Sequence, residues 1–357
     1  MSAFSQPVPK TQDLALPNAP SDGVSHISFS PNGQLVVCSS WDKGVRCWEL
    51  QRGYNNALQA TPKAQMNHDG PAFWTDFSAD GSTVFSGGAD KQVKMWNLGQ
   101  PGSQGQQIGQ HDGPVKSLKF IPEMNLVASA SWDRTVKFWD ARQPTPAAGV
   151  TLSERCYAMD IRGGAMVVAT ADRKMSVFNM GAWSNGPTPQ HCEDSPLRYQ
   201  TRCVAVFPDQ TGFAVGSIEG RVGIEYFAEM GKFKNTYSSR QSFAFKCHRT
   251  QPKASVTNVY SVNAIAFHKY GTFATAGADG NFHFWDKDSR QRLKAFDLQL
   301  NNTIPCCTFS PGGELFGYAA SYDWSMGVEQ ASPAATHNVY VHVVADEEVK
   351  PRPKDKK

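Results

Sequence analysis

VKSLKFIPEMNLVASASWDRTVKFWDA, running from Val115 to Ala141, decides the fold. Apolar residues alternate with polar ones, a turn intervenes, and a second apolar run ends in the small-residue cluster Ser129-Ala130-Ser131 before Trp132 and Asp133. A third alternating run then ends in Trp139. The same order recurs in VSHISFSPNGQLVVCSSWDKGVRCWEL from Val24 and in AFWTDFSADGSTVFSGGADKQVKMWNL from Ala72. Phe29 to Asp42, Phe77 to Asp90 and Phe120 to Asp133 are each 13 residues, and from each Asp to Trp48, Trp96 or Trp139 is 6. Alternation at period 2 predicts strands; helical repeats would need period 3.6.

Weaker copies keep the 6-residue step at Asp172 to Phe178, Glu219 to Glu225 and Asp279 to Trp285. A seventh begins at CCTFSPGGELFGYAASYD, with Phe309 and Asp323 in the equivalent places. Its last strand, HNVYVHVV from His337, is delayed by a Gly- and Pro-containing insertion. A period of about 40–48 residues is that of a four-stranded blade. The predicted fold is all-β, a single seven-bladed β-propeller of the WD-repeat type over residues 24–344. Residues 1–23 are expected to form an N-terminal arm that supplies the closing strand of the seventh blade. The tail 345–357, ADEEVKPRPKDKK, mixes charge with proline and is expected to be disordered.

Composition bounds the function. A net charge of +3 with 19% charged residues confines any basic binding surface to a local patch, and 40% apolar residues supply a large core. The eight cysteines form no C-x-x-C pair and read as reduced thiols packed as small hydrophobes. The polar start is unlike a signal peptide, and no run approaches ~18 apolar residues, so an intracellular protein without membrane insertion is expected. Phosphate-cradling loops, zinc spacings and nucleophile elbows are absent from the sequence. No cofactor, no metal and no small-molecule substrate are expected.

His68 to Asp90 and His111 to Asp133 are both 22 residues. A buried Asp in the strand-joining turn needs partners, and such a His, nearby Ser, and Trp96 or Trp139 can satisfy it. Ser, His and Asp also compose a hydrolase triad. A triad should occur once around an exposed nucleophile, whereas this set recurs at blade period, so a structural network is expected and catalysis is not.

The pattern is least regular between Phe207 and Phe267, which are 60 residues apart. SRQSFAFKCHRTQPK lies there, alternating Phe243 and Phe245 with polar residues before Lys246, His248 and Arg249. The sixth copy ends in WDKDSRQRLK, with Lys287, Arg290, Arg292 and Lys294, and Arg221 precedes a strand of the fifth. Together they predict a basic surface with an aromatic floor. It suits an acidic peptide with apolar anchors or single-stranded nucleic acid; ordinary solvated strand edges are the alternative.

Several blocks go beyond the generic repeat: SIEGRVGIEYF from Ser217, FAFKCHR from Phe243, VNAIAFHKYGTFATAGADGNFHFWDKD from Val262, and ASYDWSMG from Ala320. With ERCYAMDI, SPLRYQTRCVAVF and EEVKPRPKDKK, the chain resembles the mRNA export factors of the Rae/Gle family over nearly its whole length. SIEGRV and FKCHR also occur in the related mitotic-checkpoint propellers of the Bub family, whereas ASYDWS-x-G and HDGPVKSLKF favour the export factors. The resemblance implies a non-catalytic adaptor of the nuclear pore complex and nuclear envelope, partly cytoplasmic. Family members hold the GLEBS hairpin of an FG nucleoporin across one face of the propeller and are implicated in contact with RNA. The alternative it implies is a spindle-checkpoint or kinetochore adaptor binding a related motif. Residues matching the family's partner surface are Arg221, Phe245, Lys246, Trp285, Asp286, Lys287, Arg290 and Arg292, with Trp285 also in the repeat's structural Trp position.

Overall fold

Each copy of the repeat folds as one antiparallel four-stranded sheet, and seven such sheets follow one another around the ring. The computed structural model describes residues 13–54, 57–100, 105–183, 186–187, 189–227, 241–298, 300, 302–325, 327–330 and 336–352. Blade 3, for example, runs from the inner strand Val115–Ile121 through Leu126–Ser131 and Thr135–Trp139 to the outer strand Ala148–Thr151. Blade 5 comprises Thr201–Val206, Gly212–Ser217, Arg221–Tyr226 and Phe243–Lys246; blade 6 comprises Val262–Phe267, Phe273–Gly277, Phe282–Asp286 and Gln291–Phe296.

The core lies between blades. Each of seven apolar clusters is shared by two neighbours: Phe138 and Met159 join blades 3 and 4, and Phe207, Tyr226 and Phe273 join blades 5 and 6. Burying such a side chain contributes about 1.5–3 kcal/mol, so every blade is stabilised from both sides and the ring gains by closing. Closure uses the chain's beginning. Leu14–Ala15 pairs with Asn338–Val343 and becomes the outer strand of blade 7. The Trp48 indole N–H donates to the Pro17 carbonyl at 2.7 Å, fixing the arm to blade 1. Residues 1–12 of the expected arm lie outside the described residues.

The tail departs from expectation. Asp346–Val349 forms a helical turn, Val349 is buried among blade 6 and 7 residues, and the Thr272 hydroxyl donates to its carbonyl at 2.7 Å. Charge and proline suggested disorder, but one apolar side chain in a core gap orders this segment through Arg352. Residues 353–357 lie outside the described residues. The long connection before Val262 also has structure: Arg249–Lys253 and Val256–Val259 pair as a separate hairpin. No described helix is long and apolar enough to cross a membrane.

Two local devices aim side chains. After the conserved-spacing acidic residue of blades 1–6, the next residue takes positive φ: Lys43, Lys91, Arg134, Arg173, Gly220 and Gly280. Glycine is required at Gly280, where a Cβ would stand 2.5 Å from the Asn302 carbonyl oxygen. Secondly, the inner strands of blades 1–6 each carry a bulge after their first residue, skipping Ser25, Phe73, Lys116, Tyr157, Arg202 and Asn263 in the pairing. A bulge re-aims its extra side chain.

Candidate functional site

The predicted networks form inside the blades. His111 Nδ1 lies 2.9 Å from Asp133 and Nε2 lies 2.7 Å from Ser129 Oγ, which in turn accepts from the Trp139 indole at 2.7 Å. Burial lowers the His111 pKa below its usual value, keeping the ring neutral. The chain of bonds then runs Trp N–H to Ser, Ser O–H to His, His N–H to Asp. Burial works to raise the Asp133 pKa, but donors from Thr135, the Asp112 amide and His111 outweigh it and hold the carboxyl low. His68 repeats the pattern with Asp90 and Ser86, each at 2.8 Å. Trp96 is buried between blades 1 and 2. Ser86 and Ser129 are fully buried, so neither can meet a substrate and the sets are structural.

A third network was missed in the sequence. His248, expected on the basic surface, is buried; its Nδ1 is 2.8 Å from Asp279 and its Nε2 2.9 Å from Thr275. The inserted hairpin stretches the His-to-Asp separation beyond 22, which hid the pattern. His248, Asp279 and His283 lie close enough to suggest a metal site, but both ring nitrogens of His248 are already engaged within blade 6.

The predicted edge surface comes together on the outer strands of blades 5 and 6. Arg221 and Lys246 are register partners in blade 5, and Trp285 and Arg292 are partners in blade 6. Across the blade boundary, the Phe245 and Trp285 rings lie 4.8 Å apart, with the Arg290 guanidinium 4.4 Å above Phe243 and Arg292 6.0 Å above Trp285. Trp285 does two jobs, since its N–H donates to Thr275 at 2.9 Å while the ring floors the groove. Two residues sit deeper than expected. Asp286 and Lys287 are only 4% exposed; Lys287 binds Asp288 at 3.0 Å and lies over Phe207, while Asp286 accepts the Asp288 amide. They shape the wall rather than offer charge.

A second surface escaped the sequence reading altogether. The bulged residues of the inner strands converge on the channel mouth, a cavity of about 370 Å³ lined by Phe73, Lys116, Tyr157, Arg202 and Asn263. Around it stand Trp41, Trp132 and Trp324, 40%, 40% and 42% exposed. Trp41 contacts Phe73 at 5.2 Å and Trp324 at 6.3 Å, and Phe73 contacts Trp132 at 6.1 Å, so the rings form one arc. Burial and the nearby Arg202 push the Lys116 pKa down to about 8. The available signal was the repeated Ser-Trp-Asp at 40–42 and 131–133: a large apolar residue on a turn, directly before the structural Asp. An exposed aromatic arc of this kind marks an interaction site.

Seven blades, buried His–Asp networks and two solvent-facing aromatic surfaces define a WD-repeat propeller. In agreement, the WD domain, G-beta repeat family matches residues 13–49, 62–97, 102–140 and 245–286. The chain is 50% identical over 338 residues to Protein RAE1 of Arabidopsis thaliana, covering 94% of this chain and 92% of that protein. It is 41% identical to mRNA export factor GLE2 of Chaetomium thermophilum (97% and 94% covered) and 42% identical to the Poly(A)+ RNA export protein of Schizosaccharomyces pombe (96% and 94%). The chain belongs to this family of mRNA export factors.

Proposed function

We propose that the protein is a non-catalytic adaptor in mRNA export, working at the nuclear pore and envelope with a cytoplasmic fraction. In this reading the GLEBS hairpin of an FG nucleoporin moves from the edge residues expected for it (Arg221, Phe245, Lys246, Trp285, Arg290 and Arg292) to the end face, where three exposed tryptophans offer larger apolar anchors. The edge groove of blades 5 and 6 then holds single-stranded RNA of the cargo. The relatives' names supply the process. The observation that carries the binding role is the exposed tryptophan arc around Lys116 and Arg202. Tryptophans of this size anchor interfaces, and two cations at their centre select an acidic apolar-anchored segment. The edge groove supplies the other half of an adaptor: half-buried rings for bases to stack on and flanking Arg for phosphates.

Calorimetric titration with two peptides, a GLEBS hairpin and a checkpoint hairpin, tests the assignment. Preference for the GLEBS peptide supports it. Preference for the checkpoint peptide moves the protein's role to spindle-checkpoint complexes, and silence with both removes the end face as a hairpin site.

A further inference from the structure

The described part of the C-terminal segment reaches the outer strand of blade 6, which borders the edge groove. Its position is fixed three ways before it arrives there. Val349 is buried, Thr272 donates to the Val349 carbonyl, and Glu348 lies 3.1 Å from His342, whose other nitrogen is 2.7 Å from Asp13. Beyond Val349 the chain lies along the outer strand of blade 6. There the Arg352 guanidinium donates to the Gln291 side chain at 2.6 Å and to the Arg292 carbonyl at 3.5 Å. Its contacts are therefore with neutral groups on the strand that carries Arg292 and Lys294.

The charges on this edge are unevenly answered. Lys350 is paired with Asp346 at 2.7 Å and Lys287 with Asp288. Arg290, Arg292, Lys294 and Arg352 form no ion pair with a carboxylate among the described residues. Arg292 and Lys294 on the strand, Arg290 in the turn before it and Arg352 on the segment laid against it gather four cations at one edge, offset only in part by Glu348 acting on Lys294, and a polyanion would relieve their repulsion.

We infer that the C-terminal strap is the outer wall of the edge groove, and that Arg352 joins Arg292 and Lys294 in contacting the phosphates of a single-stranded RNA. This rests on the reading of the groove as an RNA site and adds a residue to it from a different part of the chain. RNA fits better than an acidic peptide because the cations flank ring faces, Arg290 over Phe243 and Arg292 over Trp285. Stacked bases use the rings while their phosphates meet the cations. Anchoring by Val349 matters here, since ordering of the segment is already complete in the free protein and is not charged against binding.

Fluorescence anisotropy of a labelled oligouridylate against the full chain tests the inference, read as affinity and as the slope of log K on log salt. Arg352→Glu is expected to weaken binding roughly fivefold or more and to reduce the salt slope by about 0.7, the share of one phosphate contact on a single strand, with an unchanged melt. Lys63→Glu, on the outer strand of blade 1, controls for net charge and should change much less. If Arg290→Glu weakens binding while Arg352→Glu does not, the groove stands and the strap has no part in it. Equal losses in Arg352→Glu and Lys63→Glu would likewise overturn the inference, reducing it to bulk charge. Failure of the wild-type protein to bind the oligonucleotide removes the groove reading and the strap with it.

Discussion

His248 shows what a single residue's surroundings decide. Sequence spacing placed it among surface cations, while the fold closes it between Asp279 and Thr275. His248→Ala strips a buried carboxylate and a buried hydroxyl of a partner, a loss of about 2–4 kcal/mol by denaturant unfolding. His111→Ala should cost a similar amount for the same reason. Lys246→Ala, on the exposed edge two residues away, should stay within about 0.5 kcal/mol of wild type. If His248→Ala proved as mild as Lys246→Ala, the blade 6 network would be without structural weight. The networks of blades 2 and 3 were legible because His and Asp keep a fixed separation. That of blade 6 was not, because the Arg249–Lys253 and Val256–Val259 hairpin lies between its members and stretches their separation from 22 to 31 residues.

Elements that close the ring carry a titratable latch. His342 sits between Asp13 of the arm and Glu348 of the C-terminal turn, and Tyr318 donates to the same Asp13. Burial works against charging the ring, but hydrogen bonds to Asp13 and Glu348 prevail and raise its pKa to about 9. A raised histidine pKa stabilises the fold fully below the unfolded value near 6.5. The contribution fades as pH rises and is gone above about 9. The shift corresponds to at most ~3 kcal/mol. His342→Asn should therefore be less stable than wild type at pH 6, with the gap closing by pH 10; a gap constant across that range would contradict the latch. Sequence reading anticipated that the start of the chain would supply a closing strand, since a ring needs one. It could not foresee an ordered tail, because composition counts charges and prolines but does not show that Val349 finds a gap between blades 6 and 7.

At the scale of the molecule, the ring brings distant positions into two surfaces. Seven blades were legible because each repeats the same alternation and the same 6-residue step. Most of the edge groove was legible too, as a cluster of Phe, Lys and Arg in two neighbouring copies, although Asp286 and Lys287 turned inward. The end face was not. Ser25, Phe73, Lys116, Tyr157, Arg202 and Asn263 are scattered over the chain, and only the bulge shared by six inner strands turns them toward one mouth. Lys116 makes that mouth sensitive to pH. With its pKa at about 8, it loses its charge between pH 7 and 9. Affinity for an acidic hairpin should fall several-fold over that interval in calorimetry, and Lys116→Met should flatten the profile.

The claim that the propeller is an adaptor with separate surfaces for two partners is tested most directly by a crossed binding experiment. A GLEBS hairpin peptide and an oligouridylate are each titrated against wild type, Trp41→Ala with Trp324→Ala, and Arg290→Glu with Arg292→Glu. Loss of two interface tryptophans should cost the hairpin at least about 2 kcal/mol, some 30-fold, and leave the oligonucleotide unaffected. The double Arg variant should abolish oligonucleotide binding, spare the hairpin and melt near wild type. If either variant loses both ligands while keeping its fold, or if the losses are exchanged, the two-surface account is wrong.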